Sequence, residues 1–437
     1  MKAVHKQERR FPNRRSGTPR KAVSEMFSKT VVHAIFPLRP FGDKEIVAPF
    51  LLLLLPAFAF ANPEPTALLD AFPEHGTSRY ISGELAMVDH VNRMGILRDD
   101  RTDDQNKYHQ DLPHHFAMLP YGMAYRCGAP AALKHIPLGT HLHGQFHIGP
   151  EGGYRVNLQV TNYNAQVKNS PNSFSPDSQY SHAIRLEDDF SFFQRQCASW
   201  KIVSVDKETQ KVVAQRISGD TAGDEGLSGK QTFDFNPATR VWKGQGIADV
   251  SDLAPGQDIL FNLTWATLYG PGRLKEVWIG KEAQDLATRL QDTTFQEYQH
   301  LRGFGARVLH VEHIGQTQGV VRAAFYQGFR KRDLEQFKPD TTGSCIVVEP
   351  NLRAHDQGND AIPARFKAFQ KIDNPPPGHS GYEVEFHTYQ LLEGIRPGLS
   401  IRLQPAGAPR ITLPREERIS PFDIRPRFLE VHPPKEE

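Results

Sequence analysis

The sequence predicts a mainly β protein made of two small barrels in tandem, a third related β domain and one connecting α-helix. Three observations lead to this fold class. Residues 82–144 align without a gap with residues 199–261, an offset of 117 residues (199 − 82). Each copy alternates apolar and polar residues between turn residues, which is typical of strands. One stretch, residues 281–302, instead has apolar residues at helical spacing.

Composition limits the class of protein. The chain has 437 residues, of which 38% are hydrophobic, and a chain of this length is expected to form two to three domains. The apolar fraction is too high for a disordered chain, and the presence of only one long apolar run excludes a polytopic membrane protein. Three cysteines exclude a disulfide-dense scaffold and a four-cysteine zinc site.

A basic leader followed by an apolar run predicts export. Residues 1–61 hold 11 Lys and Arg against 4 Asp and Glu, and they end in the apolar run 46–61 with an A-F-A cleavage signature. We expect a signal peptide and a periplasmic or extracellular protein without a transmembrane span; an uncleaved anchor helix is the alternative, and Met26 is an alternative start. After the leader, 41 basic (52 − 11) and 46 acidic (50 − 4) residues remain, a net charge of −5. This charge gives no bulk electrostatic reason to bind nucleic acid.

The cysteines are too few for a disulfide framework even after export. In an oxidising compartment, Cys127, Cys197 and Cys345 allow at most one bridge and leave one thiol over. Three separate thiols are the alternative.

The repeat keeps apolar and turn residues in register although few residues are identical. Leu85 falls on Ile202, Phe116 falls on Phe233, and the turn residue Gly139 falls on Gly256. A third, partial copy lies at residues 392–403. Four of its residues match the second copy: Ile395, Pro397, Gly398 and Ile401 fall on Leu253, Pro255, Gly256 and Ile259.

The local pattern within each copy is that of strands joined by tight turns. Residues 89–92 and 206–209 are polar turns between apolar runs, so each is expected to close a hairpin. In the Pro-Gly turns at 255–256 and 397–398, Pro presets φ and Gly supplies a positive φ. A unit of about 70 residues cannot bury its core as an open sheet, so each copy is expected to close into a barrel. One apolar strand face is formed by Ile259, Phe261, Leu263 and Trp265.

The order of these elements resembles a known family. A hairpin, a strand, the NPATR turn at 236–240 and the pattern x-L-x-P-G-x-x-I-x-F are similar to the OB-type barrels of the small periplasmic copper-binding proteins of cation-efflux systems. The resemblance covers roughly 70 residues in each of two copies. It implies OB-like barrels and copper bound by a His, a Trp and two Met around the second and third strands. The corresponding strand reads LPHHF at 112–116; the paired Met are absent, so only His114 carries over.

These elements divide the chain into seven segments. In order, they are a leader and signal peptide at 1–61, an OB-like barrel at 80–150, an insertion with a short helix at 151–197, a second OB-like barrel at 198–268, a connecting helix at 279–304, a third β domain at 305–405 and a Pro- and charge-rich tail at 406–437. The acidic start of the short helix suits its first turn. We expect Asp188 and Asp189 to cap that helix; metal-binding or acid–base carboxylates are the alternative.

A cluster of histidines in the first copy has the spacing of a metal half-site. The period of a strand places His141, His143 and His147 on one face, and the repeat aligns Leu142 with the apolar residue Ile259. The histidines should therefore point away from the barrel core, where they could bind zinc or copper if further ligands approach. The candidate further ligands are His114, His115 and Met118. Neutral imidazoles on a solvated or loop-covered face are the alternative.

No catalytic signature accompanies this cluster. The chain contains no phosphate-binding loop, no G-x-S-x-G and no H-E-x-x-H. Tyr121, Tyr125 and Trp242 suit barrel ends, or alternatively a stacking platform for a sugar or base. We expect an exported, non-enzymatic protein that binds an unknown ligand or protein partner, or scaffolds an assembly, without a required cofactor. The alternatives are a periplasmic copper- or zinc-binding protein and, third, a secreted hydrolase.

Overall fold

The computed structural model describes residues 71–90, 93–100, 113–148, 177, 179–217, 227–264, 272–347, 361–391 and 395–408. The predicted leader and signal peptide, the polar insertion up to residue 176, Trp265 and the tail after residue 408 lie outside the described residues. Among the helices that are described, none has both the length and the apolar character needed to cross a bilayer. The signal peptide and the export it implies stay predictions.

The first barrel is a sheet that closes on itself. Its strands are β1 (Arg79–Asp89), β2 (Met94–Asp99), β3 (Pro113–Arg126), β4 (Ala129–Ala131), β5 (His141–His147) and β6 (His182–Asp188). They are ordered β2-β1-β5-β6-β3-β4, and a further pairing of β2 with β3 closes the ring. The pairing of β3 with β6 is parallel, and the others are antiparallel. This is the predicted OB-like barrel.

The second barrel repeats the first at the predicted spacing. Its strands are β7 (Ser199–Asp206), β8 (Lys211–Ile217), β9 (Lys230–Asp234), β10 (Arg240–Lys243), β11 (Gly246–Ala248), β12 (Asp258–Leu263) and β13 (Leu274–Ile279). β1 and β7 end 117 residues apart (206 − 89), and so do β4 and β11 (248 − 131). β9 and β10 together occupy the place of β3, and β10 pairs with β13 in parallel.

Both barrels extend beyond the boundaries that the sequence predicts. The first was expected to end at residue 150 and the second at residue 268, yet each takes its last strand, β6 or β13, from further along the chain. These strands pair in parallel with a distant partner, and such pairing has no short-range sequence signal. Each last strand runs directly into a helix, namely α1 (Asp189–Arg195) or α2 (Gly280–Arg302). Both helices are confirmed, and α2 ends as predicted at Gly303, which has φ 84°.

The third β domain is a closed six-stranded barrel. Its strands are β14 (Phe304–Ile314), β15 (Gln318–Tyr326), β16 (Thr342–Val347), β17 (Ala361–Lys371), β18 (His379–Thr388) and β19 (Ser400–Gln404). The ring order is β14-β15-β18-β17-β16-β19. A single helical turn, α3 (Lys331–Leu334), lies between β15 and β16.

One corner of the backbone is the same in all three barrels and confirms the partial third copy. In each, a glycine with positive φ donates its N–H to the carbonyl oxygen of a strand residue. The N–H of the same strand residue donates in return to the carbonyl oxygen of the residue that follows the glycine. The three pairs are Gly139 with Leu85, Gly256 with Ile202 and Gly398 with Val308. In each copy the strand register shifts just after this residue, which marks a β-bulge.

The inside of the barrel is preserved between the first two copies. Leu142 and Ile259 are both fully buried, each in the core of its own barrel, as the alignment predicts. The second core contains an aromatic cluster: Phe233 and Phe261 have ring centroids 4.8 Å apart, and Trp200 packs against both. Within the described residues all three cysteines are free thiols; Cys127 and Cys345 are buried, and Cys197 is exposed.

Candidate metal centre

Strand β5 places two histidines on the outer face of the first barrel, as predicted. Leu142 lies in the core, so its neighbours His141 and His143 point the other way. Both imidazoles are nevertheless buried, with side chains 5% and 3% exposed, because α1 packs over this face. The ring of Phe192 in α1 stacks on His143 at 3.7 Å and 5°.

The two adjacent aspartates at the start of α1 have different roles. Asp188 is the N-cap: its side chain accepts a hydrogen bond from the Ser191 N–H, which confirms the capping prediction for this residue. Asp189, the first helical residue, turns instead toward the histidines. Its Oδ1 accepts from Nδ1 of His141 at 2.7 Å and from Nε2 of His143 at 3.1 Å. One potential ligand atom from each of these three residues lies within 4.8 Å of the others.

Each of the three side chains also makes a hydrogen bond through its second polar atom, on the side that faces away from the other two residues. Nε2 of His141 donates to Oδ2 of Asp100 at 2.7 Å, and Nδ1 of His143 lies 2.7 Å from the hydroxyl of Tyr80. The backbone N–H of Leu263, in β12 of the second barrel, donates to Oδ2 of Asp189 at 2.8 Å. One nitrogen of each imidazole is therefore fixed by an outer partner while the other faces Asp189.

The charges of the group are coupled. Burial disfavours the charged form of His141, but Asp100 and then Asp189 outweigh it and raise the pKa of His141 well above its usual value. Burial would raise the pKa of Asp189, yet the attraction of His141 and the hydrogen bonds from both imidazoles lower it. Burial lowers the pKa of His143, which favours the neutral form of that ring. Without a metal, the positive charge of His141 thus lies between two carboxylates, those of Asp100 and Asp189.

The other predicted ligands do not join this group. His114 lies inside the barrel wall, with Nε2 3.0 Å from the Tyr180 carbonyl oxygen and its ring against Phe146. Burial lowers the pKa of His114 to about 4. His147 lies at the far end of β5 opposite His182, and among the described residues its Nε2 has no hydrogen-bond partner. His115 is partly buried in β3 and pairs with Ile96.

The aromatic residues of the predicted platform are dispersed. Tyr121 is fully buried against Phe72, with ring centroids 5.2 Å apart. The Tyr125 ring lies 4.1 Å from the guanidinium of Arg185, and Trp242 packs against the core of the second barrel. These residues therefore serve three separate packing contacts rather than one binding surface.

Comparison of the chain with protein-family models, with curated proteins and with solved structures gives no match. The resemblance to periplasmic copper-binding barrels therefore stays a prediction. The functional argument rests on the geometry of the group formed by His141, His143 and Asp189.

Proposed function

We propose that the protein is an exported metal-binding protein that holds one divalent transition-metal ion at His141, His143 and Asp189. The observation that carries this proposal is the convergence of two imidazole nitrogens on one carboxylate oxygen inside a buried site. Nitrogen and carboxylate oxygen ligands within a few ångströms of each other are the donor set of zinc sites with three protein ligands, in which water takes the fourth position.

The outer partners support a metal more than they support a simple ion pair. Histidines that bind a metal donate their other ring N–H to a carboxylate or another acceptor, which fixes the tautomer and the ring. Asp100 is such a partner of His141, and Tyr80 fixes His143. A divalent ion that replaces the extra proton of His141 would also balance the two carboxylates that face it, half-buried Asp100 and fully buried Asp189.

The donor set favours zinc, with copper(II) as the next candidate. It contains no thiolate or thioether, the ligands that select copper(I), while imidazole suits both zinc and copper(II). Met118, the methionine that the sequence offered as a further ligand, instead lies in the core of the first barrel.

A second candidate is the non-enzymatic ligand-binding or scaffold protein that the repeat predicts. The observation that favours it is the restriction of the site to one copy: in the second barrel, exposed Asp258 and buried Leu260 take the places of His141 and His143. The barrels would then present a surface to a partner, and no metal would be required.

Metal analysis of the purified protein tests the proposal. We expect one bound zinc ion per chain after dialysis against buffered zinc, and we expect the His141→Ala/His143→Ala pair and Asp189→Asn each to abolish it. His147→Gln, on the same face of the same strand but outside the group, should keep it. A wild-type chain that retains no zinc or copper(II) above background would contradict the proposal. The ligand-binding or scaffold protein would then be the remaining candidate.

A further inference from the structure

Helix α1 lies at the junction of the first two barrels and contacts both. It follows directly on β6 of the first barrel, yet Phe190, Phe192 and Phe193 belong to the core of the second. Phe193 packs against Trp200 and Phe261, with ring centroids 5.5 and 5.6 Å apart. The helix that supplies Asp189 is therefore anchored in the second barrel.

Asn262 ties the start of this helix to the second barrel. It lies in β12 and is fully buried. Its Oδ1 accepts from the N–H of Phe190 at 3.0 Å, and its Nδ2 donates to Oδ2 of Asp188 at 2.8 Å. Asp188 also accepts from the N–H of Cys127, in the turn between β3 and β4. One carboxylate thus bridges the two barrels beside the proposed metal ligand.

The ligand carboxylate itself bridges the same junction. Oδ1 of Asp189 faces the imidazoles of the first barrel, and Oδ2 accepts from the N–H of Leu263, the residue after Asn262. A displacement of β12 would remove the donor that holds Asp189 and would move the helix on which Asp189 lies. The direct ligands all come from β5 and α1, but the position of one of them depends on the second barrel.

We propose that a metal bound at His141, His143 and Asp189 also fastens the first barrel to the second, with Asn262 as a positioning residue for the metal site. This inference rests on the proposed function. Because coupling between two events is reciprocal, the metal strengthens docking as much as docking strengthens metal binding. A residue of the second barrel that touches no ligand atom therefore affects metal affinity.

Zinc affinity in Asn262→Ala, measured by competition with a chromophoric chelator, tests this step. We expect a loss of about tenfold or more relative to wild type, the effect typical of partners outside the ligand shell. Gln257→Ala is the matched control, because it removes another amide of the second barrel that both accepts and donates: Oε1 of Gln257 accepts from the Ala254 N–H, and Nε2 donates to the Asp252 carbonyl. Its zinc affinity should equal that of wild type. Equal affinity in Asn262→Ala would overturn the proposal.

Hydrogen–deuterium exchange of the wild-type protein tests the reciprocal effect and needs no variant. Zinc should slow exchange in residues 258–264, which hold no ligand, as well as in residues 182–195, while residues 304–314 of the third barrel stay unchanged. Zinc protection confined to residues 139–147 and 182–195 would overturn the coupling but keep the metal site. A wild-type chain that binds no zinc would overturn both, so the two failures are distinguishable.

Discussion

His141 and Asp189 lie 48 residues apart in the chain, yet Nδ1 of the imidazole lies 2.7 Å from Oδ1 of the carboxylate. The other nitrogen of the same ring bonds to Asp100. A metal can bind His141 only by taking the place of a proton, so metal binding and proton release are linked. The metal-free site is also an ion-pair network in its own right, which leads to consequences for stability as well as for affinity.

Removal of the Tyr80 hydroxyl should weaken metal binding without removing a ligand. The hydroxyl lies 2.7 Å from Nδ1 of His143 and fixes the ring that presents Nε2 to Asp189. We expect Tyr80→Phe to lower zinc affinity about tenfold. The matched control is Tyr125→Phe, which removes a hydroxyl bonded to Gln327 at 2.7 Å. Chelator competition should show wild-type affinity for the control; equal losses in both variants would contradict a specific role for Tyr80.

Truncation of His141 should destabilise the protein even without metal. Asp189 is fully buried, and His141→Ala leaves it and Asp100 without their cation. Breaking a buried pair from one side costs about 3 kcal/mol. We expect a fall of that size in the free energy of unfolding, measured by urea denaturation in the presence of a chelator.

His147→Ala provides the comparison for this loss. It removes a buried imidazole from the same strand, and no carboxylate contacts that imidazole among the residues that the structure describes. The expected loss is roughly 1 kcal/mol. A His141→Ala protein as stable as His147→Ala would show that the carboxylates do not depend on the imidazolium.

The first barrel should lose stability in mild acid because of His114. Burial lowers the pKa of this residue from 6.5 to about 4. The unfolded chain therefore takes up the proton first as the pH falls, so the stability is complete above pH 6.5 and is lost toward pH 4. His114 alone should cost about 2 kcal/mol between pH 7 and about pH 4.5. Urea denaturation across this range measures the slope.

His114→Gln should reduce that slope, because the amide does not titrate. The slope should not vanish, since burial also lowers the pKa of His182 to about 4. An unchanged slope in His114→Gln would mean that this imidazole is already protonated or solvated in the folded barrel.

The shared corner glycine should matter for its backbone conformation alone. Gly256 has φ 86°, and no atom lies within 4 Å of the position that a Cβ would take. Gly256→Ala should therefore cost about 1 kcal/mol from the left-handed backbone, without a clash. Gly246→Ala is the control, because its surroundings are equally open and its φ is not positive. Thermal unfolding should separate the two variants; equal melting temperatures would contradict the strain.

The sequence predicted the architecture where the pattern is local and repeated. Hairpins, Pro-Gly turns and the alternation around Leu142 and Ile259 all follow from short-range rules, and strand pairing, backbone conformation and burial confirm them in turn. The last strands β6 and β13 were not recognised as part of the barrels. Each pairs antiparallel with the strand before it and in parallel with a strand further back, and the parallel pairing has no short-range sequence signal. Their apolar runs alone do not reveal the partner.

Only part of the site was predicted, again because local patterns do not show which distant segments of the chain come together. Strand periodicity placed His141 and His143 on one outer face, but periodicity contains no information about what covers that face. Asp188 and Asp189 share the same local signal, an acidic helix start, although only Asp188 is the N-cap. A helix turns by about 100° per residue, so the neighbouring carboxylate points to a different surface. The contribution of Asp100 has no sequence signal that we can identify.

The position of β6 late in the chain also sets an order of events during synthesis on the ribosome. When β5 ends at His147, another 41 residues (188 − 147) must be made before β6 is complete. At typical rates of translation this takes roughly 2 to 8 s, during which the nascent chain exposes an unpaired edge of β3. Asp189 is the next residue to emerge, so ring closure and the arrival of the third proposed ligand coincide, and a chain cut before residue 182 would lack both.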